Sequence, residues 1–213
     1  MVIRPFFSAL AAVCLGGFLP ASAVADVFNG NFETGQMETF PGSGFWITNV
    51  SAGEMAGWTA SAGGGISADN FQNGPAHGGR IAVAFTAPTA LSAITLTQTA
   101  IVTVTNAQYA LHFWLSNPQA EDNHNLFTIK WNGASVGPPG GIILGALAGW
   151  TEYIVPVTAT STSSTLAFTG FNASGGVLLD DVSLVAIPEP AVAGSFAIGT
   201  LVLALRRRRS RSV

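Results

Sequence analysis

Between residues 26 and 187, hydrophobic and polar positions alternate in short runs, and the three-to-four spacing of an amphipathic helix is almost absent. Strands are predicted at 45–50, 80–85, 94–105, 108–115, 126–131, 153–159, 165–171 and 177–185, each rich in β-branched or aromatic residues and broken off by Gly, Asn or Pro. Trp131-Asn132-Gly133 marks a turn after one of them. In 108–115 the alternation assigns faces. Tyr109, Leu111, Phe113 and Leu115 share one, the expected core, while Ala110, His112 and Trp114 share the other and could face a binding surface. No internal repeat of solenoid or propeller length is present. The expected fold class is all-β, a two-sheet antiparallel jelly-roll sandwich.

Both termini break this pattern. Arg4 precedes an apolar stretch from Phe6 to Leu19, followed by Pro20-Ala21-Ser22-Ala23-Val24-Ala25. Charge, apolar core and small residues at alternate positions predict a secretory signal peptide over 1–25, cut after Ala23 or Ala25. Cys14 does not read as a lipid-attachment site: Val13 stands where a small residue is expected, and the apolar run continues past it. Removing the leader leaves a chain without cysteine, hence without a disulfide. At the other end, Pro188-Glu189-Pro190 is followed by an apolar run over 191–205 and then Arg206, Arg207, Arg208, Arg209 and Arg211. The prolines allow a helix to begin only at or after Pro190. Fifteen helical residues rise about 22 Å against a hydrocarbon core of about 30 Å, so a transmembrane helix here needs snorkelling of Arg206 and local thinning. The arginines stop transfer and stay inside the cell, which puts everything upstream outside.

This tail resembles the PEP-CTERM sorting signal of Gram-negative bacteria: a Pro-Glu-Pro box, a weak transmembrane helix and an arginine cluster over 188–213. The resemblance implies export through the secretion translocon, signal peptidase cleavage and transient residence in the inner membrane. It also implies processing by an exosortase-type peptidase at or near Pro188, Glu189 and Pro190, and delivery to the cell surface or extracellular matrix.

Of the chain's eleven acids only Glu189 lies outside 26–187, whereas Arg4 and the five tail arginines leave that segment only Arg80 and Lys130, a net charge near −8 with His neutral. Nucleic acid and anionic lipid are poor partners for such a surface. Gly, Ser, Thr and Asn supply most of the polarity, as suits a secreted β-protein, and the segment is one domain in length.

Asn29-Gly30-Asn31-Phe32-Glu33, Gly57-Trp58, the run from Gln108 to Leu115, Gly149-Trp150-Thr151-Glu152-Tyr153 and the run from Leu178 to Leu184 follow one another along this domain. In that order they resemble the jelly-roll sandwiches related to carbohydrate-binding modules and galactose-binding-like domains. The resemblance implies a structural calcium ion clipping the first strand to the last, with Glu33 as one ligand and Asp180 or Asp181 as another. Such an ion needs several oxygens at about 2.3–2.6 Å. Adjacent acids on a strand point to opposite faces, so at most one of Asp180 and Asp181 points straight inward.

A sugar site needs aromatic platforms with polar groups at their edges. Trp46, Trp58, Trp114, Trp131 and Trp150 are the aromatic candidates, and most are expected in the core. Trp114 is the stacking candidate by parity, with His112 beside it. Asn117, Asn123 and Asn125 are expected in the following loop, where they could bond hydroxyls. Nothing selects a catalytic set: there is no Gly-x-Ser-x-Gly elbow, no carboxylate pair is singled out for glycoside hydrolysis, and His77, His112 and His124 lack zinc spacing. Thr95, Thr97, Thr99, Thr103 and Thr105 alternate like an ice-binding array, but once only, and β-propensity explains the same pattern. The sequence therefore predicts a non-catalytic surface or matrix protein that binds or associates with exopolysaccharide. The alternative is a purely structural biofilm protein without a specific ligand.

Overall fold

The computed structural model describes residues 25–35, 45–48, 55–61, 65–69, 76–85, 93–117, 125–143, 147–171 and 176–188. Twelve strands lie among them: β1 (Phe45–Thr48), β2 (Thr59–Ala60), β3 (Gly65–Asp69), β4 (Ala82–Phe85), β5 (Ile94–Val102), β6 (Gln108–Asn117), β7 (Leu126–Trp131), β8 (Ala134–Val136), β9 (Ile142–Ile143), β10 (Leu147–Thr158), β11 (Ser163–Phe171) and β12 (Val177–Ala186). The first sheet runs β1-β3-β4-β12-β6-β10 and the second β2-β5-β11-β7-β8, with β9 paired to β7, and every ladder is antiparallel. The chain is an all-β sandwich, as its alternation predicts. No helix among the described residues is long and apolar enough to cross a membrane. Residues 1–24 of the leader, Glu189, Pro190, the apolar run 191–205 and the arginine cluster lie outside the described residues.

Alternation builds the core. Tyr109, Leu111, Phe113 and Leu115 are wholly buried, facing Phe127, Leu166 and Phe168 of the second sheet. The Phe85 and Phe127 rings meet edge-on at 5.3 Å, and Phe113 lies 5.4 Å from Phe168. Burying each such side chain stabilises the fold by about 1.5–3 kcal/mol. Trp58 and Trp131 are core residues, and their indole N–H groups donate to the Asn29 and Thr158 carbonyls at 3.0 Å each.

Bulges on β5 and β12 interrupt the parity. On β5, Ala100 has φ 60°, and the register against β11 slips between Ser164 and Leu166. Thr95 and Thr97 are therefore half-buried on one side, whereas Thr103 is buried and bonds the Ser161 carbonyl and the Ser164 hydroxyl. The threonines do not form one array, contrary to what an ice-binding face requires. On β12, Asp181 has φ 47°, and the register against β6 slips between Asp180 and Ser183. Leu179 and Val182 thus both face the core, three residues apart.

Candidate functional site

The site begins with Asn29-Gly30-Asn31-Phe32-Glu33. Asn29 adopts φ 52°, and its side chain closes the turn, accepting from Thr34 N and donating to the Thr34 and Ala56 carbonyls. A Cβ at Gly30 would overlap the Val182 carbonyl oxygen, so only glycine lets this segment lie against the β12 bulge, where Val182 N donates to Gly30 O at 2.8 Å. Phe32 is wholly buried. The Gln98 amide bonds both backbone groups of Phe28, standing in for a strand neighbour.

Glu33, Asp180 and Asp181 converge on one short segment, residues 77–81. Glu33 Oε1 accepts from Arg80 N at 2.5 Å and Ile81 N at 2.7 Å. Asp180 Oδ2 accepts from His77 N at 2.9 Å and Gly78 N at 3.1 Å, and its Oδ1 accepts from Asp181 N at 2.7 Å. Asp181 Oδ2 meets His77 Nδ1 at 2.6 Å. The expected clip between the first and last segments is thus made through a loop. Neither aspartate points into the sandwich: Asp180 lies on the outer face of the first sheet under the loop, and Asp181 occupies the bulge. A calcium ion needs oxygens turned towards it, whereas these carboxylates face N–H donors. Among the described residues no three His, Cys, Asp or Glu side chains are grouped to hold a metal. As arranged, the donor set does not fit the ion. Burial pushes the Asp180 carboxyl up, to about 7, with the Asp181 charge adding to the shift and the three backbone N–H bonds opposing it.

Beside this clip, the outer face of β12, β6 and β10 carries a row of side chains. Register sets Asp180 opposite Trp114 and Trp114 opposite Glu152, and one step along the ladder sets Ser183 opposite His112. The His77 ring lies on the Trp114 indole, with centroids 3.8 Å apart and planes 16° from parallel, and the Trp150 ring meets His77 edge-on at 5.8 Å. His112 Nδ1 bonds Glu152 Oε1 at 2.8 Å. A carboxylate only accepts, so each histidine carries its hydrogen on Nδ1, and in the neutral ring Nε2 remains an acceptor. An open groove of about 530 Å³ runs between this row and the Asp26–Asn31 segment, lined by His112, Trp114, Glu152, Asp181 and Ser183. A second hollow of about 400 Å³ lies under the Gly137-Pro138-Pro139-Gly140-Gly141 loop against β7, and among the described residues no charged side chain lines it.

The structure therefore brings the predicted ligand residues Trp114 and His112 together on a half-buried outer face. Asn117 needs correction: it is the last residue of β6, not a loop residue, and it is wholly buried, so it cannot offer its amide to a ligand in the groove. Asn125 is also buried, and Asn123 lies outside the described residues. Three residues of the site escaped sequence reasoning. His77 comes from a glycine-rich loop without periodicity. Glu152 and Ser183 become neighbours of the Trp114–His112 pair only through strand register. Pro188 is exposed at the end of the described chain.

No protein-family model matches the chain, and no curated protein matches it. Solved structures resemble its fold. A Stig cyclase, Fisc from Fischerella sp. TAU, in complex with (3Z)-3-(1-methyl-2-pyrrolidinylidene)-3H-indole, is 15% identical with TM-score 0.56, over 79% of this chain and 100% of the cyclase. An apo-form cyclase from Fischerella sp. is 16% identical with TM-score 0.56, over 80% of this chain and 99% of that one. TmCBM61 in complex with beta-1,4-galactotriose is 17% identical with TM-score 0.47, over 76% of this chain and 97% of the module. The cyclase likenesses are likenesses of fold alone, and the module's is too distant to carry an argument.

Proposed function

We propose that this is an exported, non-catalytic β-sandwich that binds extracellular polysaccharide in the groove over β12, β6 and β10. One observation carries the reading: the His77–Trp114 stack, edged by Trp150, is half-exposed and flanked by the His112–Glu152 pair, Asp181 and Ser183. A flat ring system beside hydrogen-bonding groups matches the C–H face and hydroxyl rim of a sugar. The leader over 1–25 directs export. Pro188, Glu189 and Pro190, the 191–205 helix and Arg206, Arg207, Arg208, Arg209 and Arg211 hold the precursor in the inner membrane until an exosortase-type peptidase releases it to the surface or matrix.

Full-length protein in mild detergent, applied to a glycan array, tests the binding. Retention that is lost in Trp114→Ala supports it. No glycan retained would leave a structural matrix sandwich without a ligand. Alanines at Pro188, Glu189 and Pro190 test the sorting: unprocessed protein should accumulate in the membrane fraction, and unchanged release would sink that part.

A further inference from the structure

We propose that the groove selects glycans carrying free amino groups, such as a hexosamine polymer that has lost N-acetyl groups. This rests on the sugar-binding reading and narrows it: the ring stack and the groove say where a sugar sits, and the charge around them says which sugar. Asp26, Glu152 and Asp181 line the groove, and among the described residues no Lys or Arg does. Arg80 and Lys130 are the only bases in 26–187, and Lys130 lies on β7 in the other sheet. The polar lining is rich in acceptors, the carboxylate oxygens of Asp26, Glu152 and Asp181. A hydroxyl can donate to such a lining. An ammonium brings three donors and the opposite charge, making charge-assisted bonds. The same sugar keeps an apolar ring face for the His77–Trp114 stack, and an ammonium near the indoles gains a cation–π attraction. A uronate or sulfated glycan brings acceptors and like charge, and is repelled.

The test titrates full-length protein with oligosaccharides of equal length: glucosamine, N-acetylglucosamine and galacturonate. The glucosamine oligomer should bind at least about tenfold more tightly than its acetylated counterpart, and the uronate not at all. Glu152→Gln should remove most of that preference. Trp114→Ala changes no charge and should abolish binding of both amino-sugar oligomers; if that variant misfolds, His77→Gln carries the same test. Equal affinity for the two oligomers, lost in Trp114→Ala, overturns the inference while leaving the sugar-binding reading intact. Selective binding that survives both variants is attraction by net charge and overturns it too. If none of the three binds and the array is also blank, the functional reading itself fails.

Discussion

The imidazole of His77 lies flat on the indole of Trp114, 3.8 Å from ring centre to ring centre, although one residue comes from a loop and the other from a strand paired on both sides. Asp181 holds the free edge of the imidazole at 2.6 Å, so the bulge on the last strand positions the ring. His77→Ala should remove the stack, worth about 1 kcal/mol. In a domain of this size that lowers Tm by about 2–4 °C. The backbone bonds from residues 77 and 78 to Asp180 would remain, so the loop should stay docked. Thermal unfolding with near-ultraviolet circular dichroism reads both effects. A lost Trp signal with unchanged Tm would mean the stack contributes nothing to stability.

Gly30 and Gly79 hold positions that a side chain cannot share. A Cβ at Gly30 would meet the Val182 carbonyl, which is backbone and cannot move aside. At Gly79, φ is 62° and the Cβ would meet the Glu33 carboxylate, the end of a side chain that can swing away. Gly30→Ala should therefore cost more than Gly79→Ala, by our estimate about 3 kcal/mol or more against about 1–2. Urea unfolding of the two variants checks the ranking, and equal costs would refute it.

The core of this sandwich was legible because it depends on local alternation. Gln108 to Leu115 carries its faces in its own sequence, and the structure buries the four residues that alternation selects. The short strands β2, β3, β8 and β9 were not legible. They have two to five residues each, too few for a period to show, and β3 begins on the last of three consecutive glycines. The site was half legible for a related reason. Trp114 and His112 follow from parity. The bulges at Ala100 and Asp181 shift the parity of everything after them, and neither is marked by a glycine, although both residues adopt positive φ. Asp180, Asp181 and Glu33 were grouped by resemblance, and the structure does bring them to one loop. Only register and loop path could show that backbone N–H groups meet their oxygens.

Those N–H groups give a direct prediction about calcium. If five backbone donors satisfy Glu33 and Asp180, a chelator should leave Tm unchanged, and added calcium should not raise it. Glu33→Gln should cost about 1 kcal/mol with or without calcium: its carbonyl oxygen can still accept from Arg80 N and Ile81 N, but the charge assistance is lost. A Tm that falls several degrees on chelation, with the fall abolished in Glu33→Gln, would show that a cation replaces the donors.

Asp180 makes the domain's stability depend on pH in an unusual direction for an aspartate. Its carboxyl is wholly buried, and its folded-state pKa is raised from 3.8 to about 7. Between those values the folded protein holds a proton that the unfolded chain has released. Stability from this group is therefore complete below the unfolded pKa and is lost as pH rises towards about 7, at about 1.4 kcal/mol per pH unit and about 4 kcal/mol at most. Above that window both states are ionised and the slope vanishes. Urea unfolding should thus give a higher midpoint near pH 5 than near pH 8. Asp180→Asn should flatten the difference, at the cost of the backbone bonds its amide nitrogen cannot accept. A wild-type midpoint that rises across the same window would mean that the three N–H donors outweigh burial and hold Asp180 ionised.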